Sequence, residues 1–208
     1  MLYTQTVEPG TLSVLNKLME LPSLRQFSLV GGTAMSLRYG HRSSVDLDLF
    51  YDKSFDHSHI EAELRSEFGD GFVFEQGHRQ LGLFCYIEEV KVDIVHFPHS
   101  TIGDIVVESG IRMYGDSDIA AMKIQAILGR GRKKDFWDLH ELLKHYSLQQ
   151  MMDWHKQKYP GQMLAISVPN AITYYTDADE SDPPVSFKGQ TWPQIKKEIS
   201  KVVSDYLR

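Results

Sequence analysis

The stretch from Phe27 to Phe50 constrains this chain more than any other. An apolar run, Phe27 to Val30, meets Gly31-Gly32, and a short helical pattern, Ala34 to Tyr39, follows. Gly40 stands where a helix would end. A second apolar run, Val45 to Tyr51, is then interrupted only by Asp46 and Asp48. The glycine pair lets the backbone turn sharply and lets a ligand approach the main chain where a Cβ would obstruct it. Thr33 then occupies a helix N-cap position, and free N–H groups at a helix start favour a phosphate.

Residues two apart on a strand project to one face, so Asp46 and Asp48 lie side by side while Leu47 and Leu49 turn into a core. Adjacent carboxylates repel each other and are costly in apolar surroundings, so their face must be wet, basic or metal-bound. Oxygen ligands on a rigid element suit Mg²⁺, or Mn²⁺ in its place, completed by water and substrate phosphates. The plain alternative is an edge strand with its polar face in solvent.

The chain around this stretch alternates helix and strand. Thr11 to Leu21 reads as a helix stopped by Pro22. A second helix, His57 to Phe68, has Asp56 as its cap and Ile60, Leu64 and Phe68 on one face. His57 and His59 do not share a helical face, so they read as solvated surface. Strands follow over Phe72 to Gln76, Leu81 to Ile87 and Val90 to Phe97, with Glu88-Glu89 as a hairpin turn. His96 and His99 belong to the loop beyond, and Ile105 to Tyr114 is extended with Gly110 breaking it. A helix from Asp118 to Leu128, capped by Asp116 or Ser117, carries Lys123, and another runs from Lys133 to Tyr146. Asp135 and Asp138 share a face of the latter, and Asp138 is expected to pair with Arg132 or Lys134. Trp137 reads as packing. Further on, Leu148 to Tyr159 is helical, Ala171 to Tyr175 is a brief helix, Thr176 to Pro184 an acidic loop, and Thr191 to Leu207 a final helix.

Gly31-Gly32, thirteen residues, then Asp46-Leu47-Asp48-Leu49 resembles the signature of the DNA polymerase β nucleotidyltransferase superfamily. Within it, Gly31 to Phe50 is similar to the AbiEii/AbiGii toxin family. So is the later run of Asp118, Lys123, Ala126, Arg130 and Lys134-Asp135-Phe136-Trp137-Asp138-Leu139, with Lys134 where an Arg is often found. The resemblance implies an α/β (α+β) fold: a nucleotidyltransferase-type mixed sheet with flanking helices over about residues 1–115, and a mainly helical part over 116–208. It implies transfer of a nucleoside monophosphate from a nucleoside triphosphate to an acceptor hydroxyl, with Asp46, Asp48 and Asp93 as metal ligands. Gly31, Gly32, Thr33, Arg42 and Lys123 would hold the triphosphate, and Asp135 would support the site. It also implies tRNA or another RNA as acceptor and a cognate antitoxin protein as partner. Transfer to a protein or small molecule, or binding without catalysis, are the rival readings. For Asp93 the alternative is an outward-facing acid beside Lys91; for Lys123, a surface lysine; for Arg42, a salt bridge in its loop.

Bulk properties agree with such a chain. The net charge of −6 means that nucleic acid must be attracted by a local patch, and Lys123, Arg130, Arg132, Lys133 and Lys134 form one without an intervening acid. The same residues could be a solvated basic turn. No run is long enough to span a membrane, and Met1 to Glu20 lacks a secretory pattern, which points to the cytoplasm. Cys85 stands alone in an apolar strand and reads as a buried, inert thiol.

Overall fold

The computed structural model describes residues 1–75 and 81–208. Gln76, expected at the end of a strand, lies outside the described residues. Helix α1 (Pro9–Glu20) precedes a short strand β1 (Ser28–Leu29), helix α2 (Gly31–Tyr39) and strand β2 (Leu47–Tyr51). Helix α3 (His57–Phe68) leads into β3 (Phe72–Phe74), β4 (Gly82–Ile87) and β5 (Val90–His96), and β6 (Val106–Glu108) and β7 (Ile111–Met113) complete the strands. The remainder is helical: α4 (Asp116–Gly129), α5 (Lys133–Leu142), α6 (Leu148–Lys158), α7 (Val168–Ala171), α8 (Thr176–Asp179) and α9 (Trp192–Tyr206).

Among the described residues, seven strands form one mixed sheet in the order β3-β4-β5-β2-β1-β7-β6. Pairing is parallel between β2 and β5 and between β1 and β7, and antiparallel elsewhere. The parallel pair β2/β5 matters most, because its register sets Leu47 against Val92, Asp48 against Asp93 and Leu49 against Ile94. Period-two alternation then sorts the faces. Leu47, Leu49, Val92 and Ile94 are buried in the core, leaving Asp48 and Asp93 together on the opposite face.

Local chemistry accounts for most element ends. Asp56 accepts hydrogen bonds from the N–H groups of Ser58 and His59, capping α3 as expected. Gly40 closes α2 in the left-handed conformation, where a Cβ would strike the Tyr3 ring. Two expectations about caps are corrected. Helix α2 starts at Gly31, with Val30 as its cap residue. Thr33 is inside the first turn, and its hydroxyl bonds Ser44 and the Asp46 carbonyl instead. Helix α4 is preceded by Gly115, because the Asp116 carboxylate is occupied by Arg38, Tyr39 and Tyr146. The first four residues of the acidic stretch, Thr176–Asp179, form α8 while 180–184 remain a loop as expected, and Asp179 accepts from Trp192 and Lys196.

Candidate active site

The site is built where β1 ends and α2 begins. Gly31 has φ +71, and a Cβ there would lie 2.5 Å from Asp48 Oδ2, so only glycine lets the helix start lie directly against that carboxylate. A Cβ on Gly32 would collide with the Arg42 guanidinium. The first N–H groups of α2 have no carbonyl one turn earlier to bond, and Gly31 and Gly32, which carry the first of them, line the same cleft. Gly31, Gly32, Arg42, Ser44, Asp46, Asp48, Lys123, Arg130 and Lys134 line it, enclosing about 60 Å³. Small-molecule sites commonly offer about 300–1,000 Å³, so a phosphate-sized group fits here and a whole nucleotide does not.

The acids occupy three different environments. Asp46 lies one residue before β2, because Thr33 takes its carbonyl oxygen, and its half-buried carboxylate is 3.6 Å from Lys134 Nζ. Asp48 is pressed between neighbours: burial first, then Asp93 at its side, drives its carboxyl up to about 6. Asp93 accepts from Lys91 Nζ at 2.9 Å through Oδ2, while its Oδ1 is buried with no hydrogen-bond partner. Such an orphaned acceptor is costly. Among the described residues no three His, Cys, Asp or Glu side chains already converge on a single point. Asp48 and Asp93, paired by register with a free oxygen between strands, are nonetheless a fitting donor set for a cation that takes one or two carboxylates and fills its other positions with water and phosphate oxygens.

Behind the cleft lies a buried ionic cluster. Asp138, fully buried, accepts from Arg42 Nε at 2.6 Å and Arg42 Nη2 at 2.7 Å in a bidentate pair. It also receives His41 Nε2 at 2.7 Å and lies 2.7 Å from Lys123 Nζ. Burial opposes its ionisation, but Arg42 and Lys123 outweigh it and hold the carboxyl well below the usual range. Lys123 lies 3.3 Å from Asp135 Oδ1 as well. Asp135 in turn accepts the Arg132 N–H and approaches Arg130. Burial lowers the pKa of His41, which is therefore neutral at pH 7 and donates from Nε2.

The expected residues thus separate into groups. Gly31, Gly32, Arg42, Asp46, Asp48 and Lys123 meet at the cleft, with Asp93 beside Asp48 on the next strand. Thr33 ties down the loop between α2 and β2, and Asp135 holds Lys123. Lys123 is buried and paired, not a surface lysine, and Arg42 both lines the cleft and makes an ion pair. Asp138 pairs with Arg42, His41 and Lys123, correcting the expected partners Arg132 and Lys134: its side of α5 faces inward, while those two begin the helix at the surface. The basic stretch is likewise divided, since Lys133 binds the backbone carbonyls of Asp179 and Ser181, leaving Arg130, Arg132 and Lys134 towards solvent. Ser44 was not singled out from the sequence, where a lone serine in a polar loop carries no signal. Trp137 packs as expected, stacked on Trp192 at 5.7 Å.

Residues 13–160 match the family model described as nucleotidyl transferase AbiEii toxin, type IV TA system. An uncharacterized protein of Aquifex aeolicus (strain VF5) is 31% identical over 206 residues, covering 93% of this chain and 94% of that protein. Among solved structures, JHP933 from Helicobacter pylori superposes with a TM-score of 0.57 at 17% identity, covering 95% of this chain and 92% of that one. The nucleotidyltransferase toxin MenT4 from Mycobacterium tuberculosis H37Rv gives a TM-score of 0.55 at 14% identity, over 93% and 84% respectively. Both likenesses are of fold. The family match covers most of the chain and includes every acid, glycine and lysine that meets at the cleft, so the chain belongs to the AbiEii nucleotidyltransferase toxin family of type IV toxin–antitoxin systems.

Proposed function

We propose that this protein transfers a nucleoside monophosphate from a nucleoside triphosphate to a hydroxyl of tRNA or another RNA, releasing pyrophosphate. The observation that carries the reading is the alignment of Asp48 with Asp93 on neighbouring parallel strands, directly against the glycine start of α2. Main-chain N–H groups of Gly31, Gly32 and Thr33 would receive the triphosphate oxygens, with Lys123 and Arg42 countering their charge. Asp48 and Asp93, with Asp46 at the rim, would hold Mg²⁺ or Mn²⁺. The cation would neutralise charge on the phosphoryl oxygens and orient an in-line displacement. Asp93, whose Oδ1 has no partner, would either join in holding the cation or take the proton of the acceptor hydroxyl. Asp135 and Asp138 contribute by fixing Lys123 and Arg42.

Such chemistry belongs in the cytoplasm, where triphosphates and RNA are available, and among the described residues no helix is long and apolar enough to cross a membrane. A cognate antitoxin protein is the partner expected of the family. Incubation with each labelled triphosphate, Mg²⁺ and mixed tRNAs, followed by separation of RNA from protein, tests the reading. Label should appear in RNA, fall by about 10²-fold or more in Asp48→Ala, and persist in Lys201→Ala, a change on the exposed side of α9. Label in protein would indicate a different acceptor. Metal-dependent triphosphate binding with no transfer to any acceptor would mean a binding protein.

A further inference from the structure

Among the described residues, two openings that share a lining residue with the narrow cleft differ in chemistry. The first, about 570 Å³, shares Asp46 with the cleft and is lined by Glu8, Glu88 and Glu89, with Lys91 as its cation. The second is a groove beside α4 in two adjoining lobes of about 400 and 320 Å³ that share Phe97, Gln125 and Tyr159. Arg130 lines both this groove and the cleft, so the two adjoin at its side chain. Among the described residues no carboxylate lines the groove. Its walls are aromatic: Phe97 and His99 have ring centroids 4.9 Å apart, and His99 and Tyr159 lie edge-to-face at 4.8 Å. Lys158, close to the Phe97 ring, is withdrawn into a buried pair with Asp118 at 2.6 Å and takes no part.

The geometry points to this groove as the seat of the unpaired end of the acceptor RNA, with bases against Phe97 and His99 and a backbone phosphate at Arg130, leading the terminal hydroxyl towards Asp48 and Asp93. The inference rests on the RNA-directed reading above and adds where the strand lies. Charge decides between the openings. A polyanionic strand is repelled by Glu8, Glu88 and Glu89, whereas among the described residues Arg130 is the charged side chain lining the groove. Size points the same way, since each lobe alone is within the range of a small-molecule site and a single nucleoside would leave the other empty. Bases must be unpaired to present a face to a ring, and stacking accepts any base. Gln125 adds polarity: its carbonyl oxygen faces His155 Nε2 at 2.9 Å, which fixes the amide and leaves its NH₂ to donate to a base acceptor.

Fluorescence anisotropy of the full chain with a labelled single-stranded oligoribonucleotide tests this, with the same strand annealed to its complement as the second probe. The single strand should bind more tightly, and Phe97→Leu, which keeps apolar packing but loses the ring, should weaken it about tenfold, the scale of one lost stack. His99→Ala and Gln125→Ala should each weaken it severalfold, and they serve if Phe97→Leu unfolds on heating well below the parent. Affinity for a fluorescent nucleoside triphosphate should stay unchanged in all three. Unchanged RNA affinity, equal binding of duplex, or a loss confined to the triphosphate would overturn the assignment. Binding without transfer is measured here, so loss of the transfer reading leaves this result legible. Conversely, a chain that transfers nucleotide to RNA but binds it indifferently to these changes sinks the groove alone.

Discussion

Asp48 carries the sharpest single-residue consequence. Its carboxyl is raised from 3.8 to about 6, first by burial and then by Asp93. Over that window the folded chain keeps a proton that the unfolded chain has released, so without divalent cations stability falls as pH rises. The expected loss is about 1–3 kcal/mol, and Asp48→Asn should abolish the slope. Urea unfolding of both proteins on either side of the window measures it, and parallel slopes would show that Asp48 is not the titrating group. Cation binding requires the ionised form, so added Mg²⁺ should reverse the trend by favouring deprotonated Asp48. At this scale both acids were legible as members of one site, and both line the cleft, although Asp46 lies just before the strand on which the two-residue spacing had placed it. The titration of Asp48 was not, since that depends on Asp93 arriving from a different strand.

Between elements, one buried carboxylate joins three segments. Asp138 on α5 holds Arg42 and His41 from the loop after α2, and Lys123 from α4. Asp138→Ala should therefore cost about 3–5 kcal/mol, because the guanidinium and ammonium remain buried without their partner. Asp138→Asn should also destabilise the protein, retaining shape but not charge. Denaturant midpoints measure both; a loss within about 0.5 kcal/mol, as at ordinary surface sites, would contradict the arrangement. The sequence placed Asp135 and Asp138 on one face of a helix but not which way that face points. Hairpin turns were easier to read: Glu88 and Glu89 both adopt positive φ, 49 and 68, as a two-residue connection requires. No glycine or asparagine marked them, and the apolar runs on either side located the turn.

For the whole molecule, the question is whether the sheet stands without the helices that follow it. All the strands among the described residues end by Met113, yet the groups that secure the cleft come from later in the chain. Asp116 receives Arg38 and Tyr39. Val185 and Phe187 pair through their backbones with Ser43 and His41, around an isolated bridge of Arg42 with Ser186. A chain ending at Gly115 would leave Arg38, His41 and Arg42 without their carboxylate partners and uncover the apolar face under α4. It should show no cooperative thermal unfolding, and a sharp transition in calorimetry would demonstrate an independent core. By itself the sequence determined the strand–glycine–helix–strand unit, the closeness of Asp46 and Asp48 and most helix ends, because these depend on backbone periodicity and on neighbours a few residues away. Only the tertiary structure decided that Asp93 stands beside Asp48, that Asp138 anchors the basic residues and that Arg130 links cleft to groove. Those contacts join distant segments, and long-range register and side-chain direction are fixed by packing of the whole core rather than by any local preference.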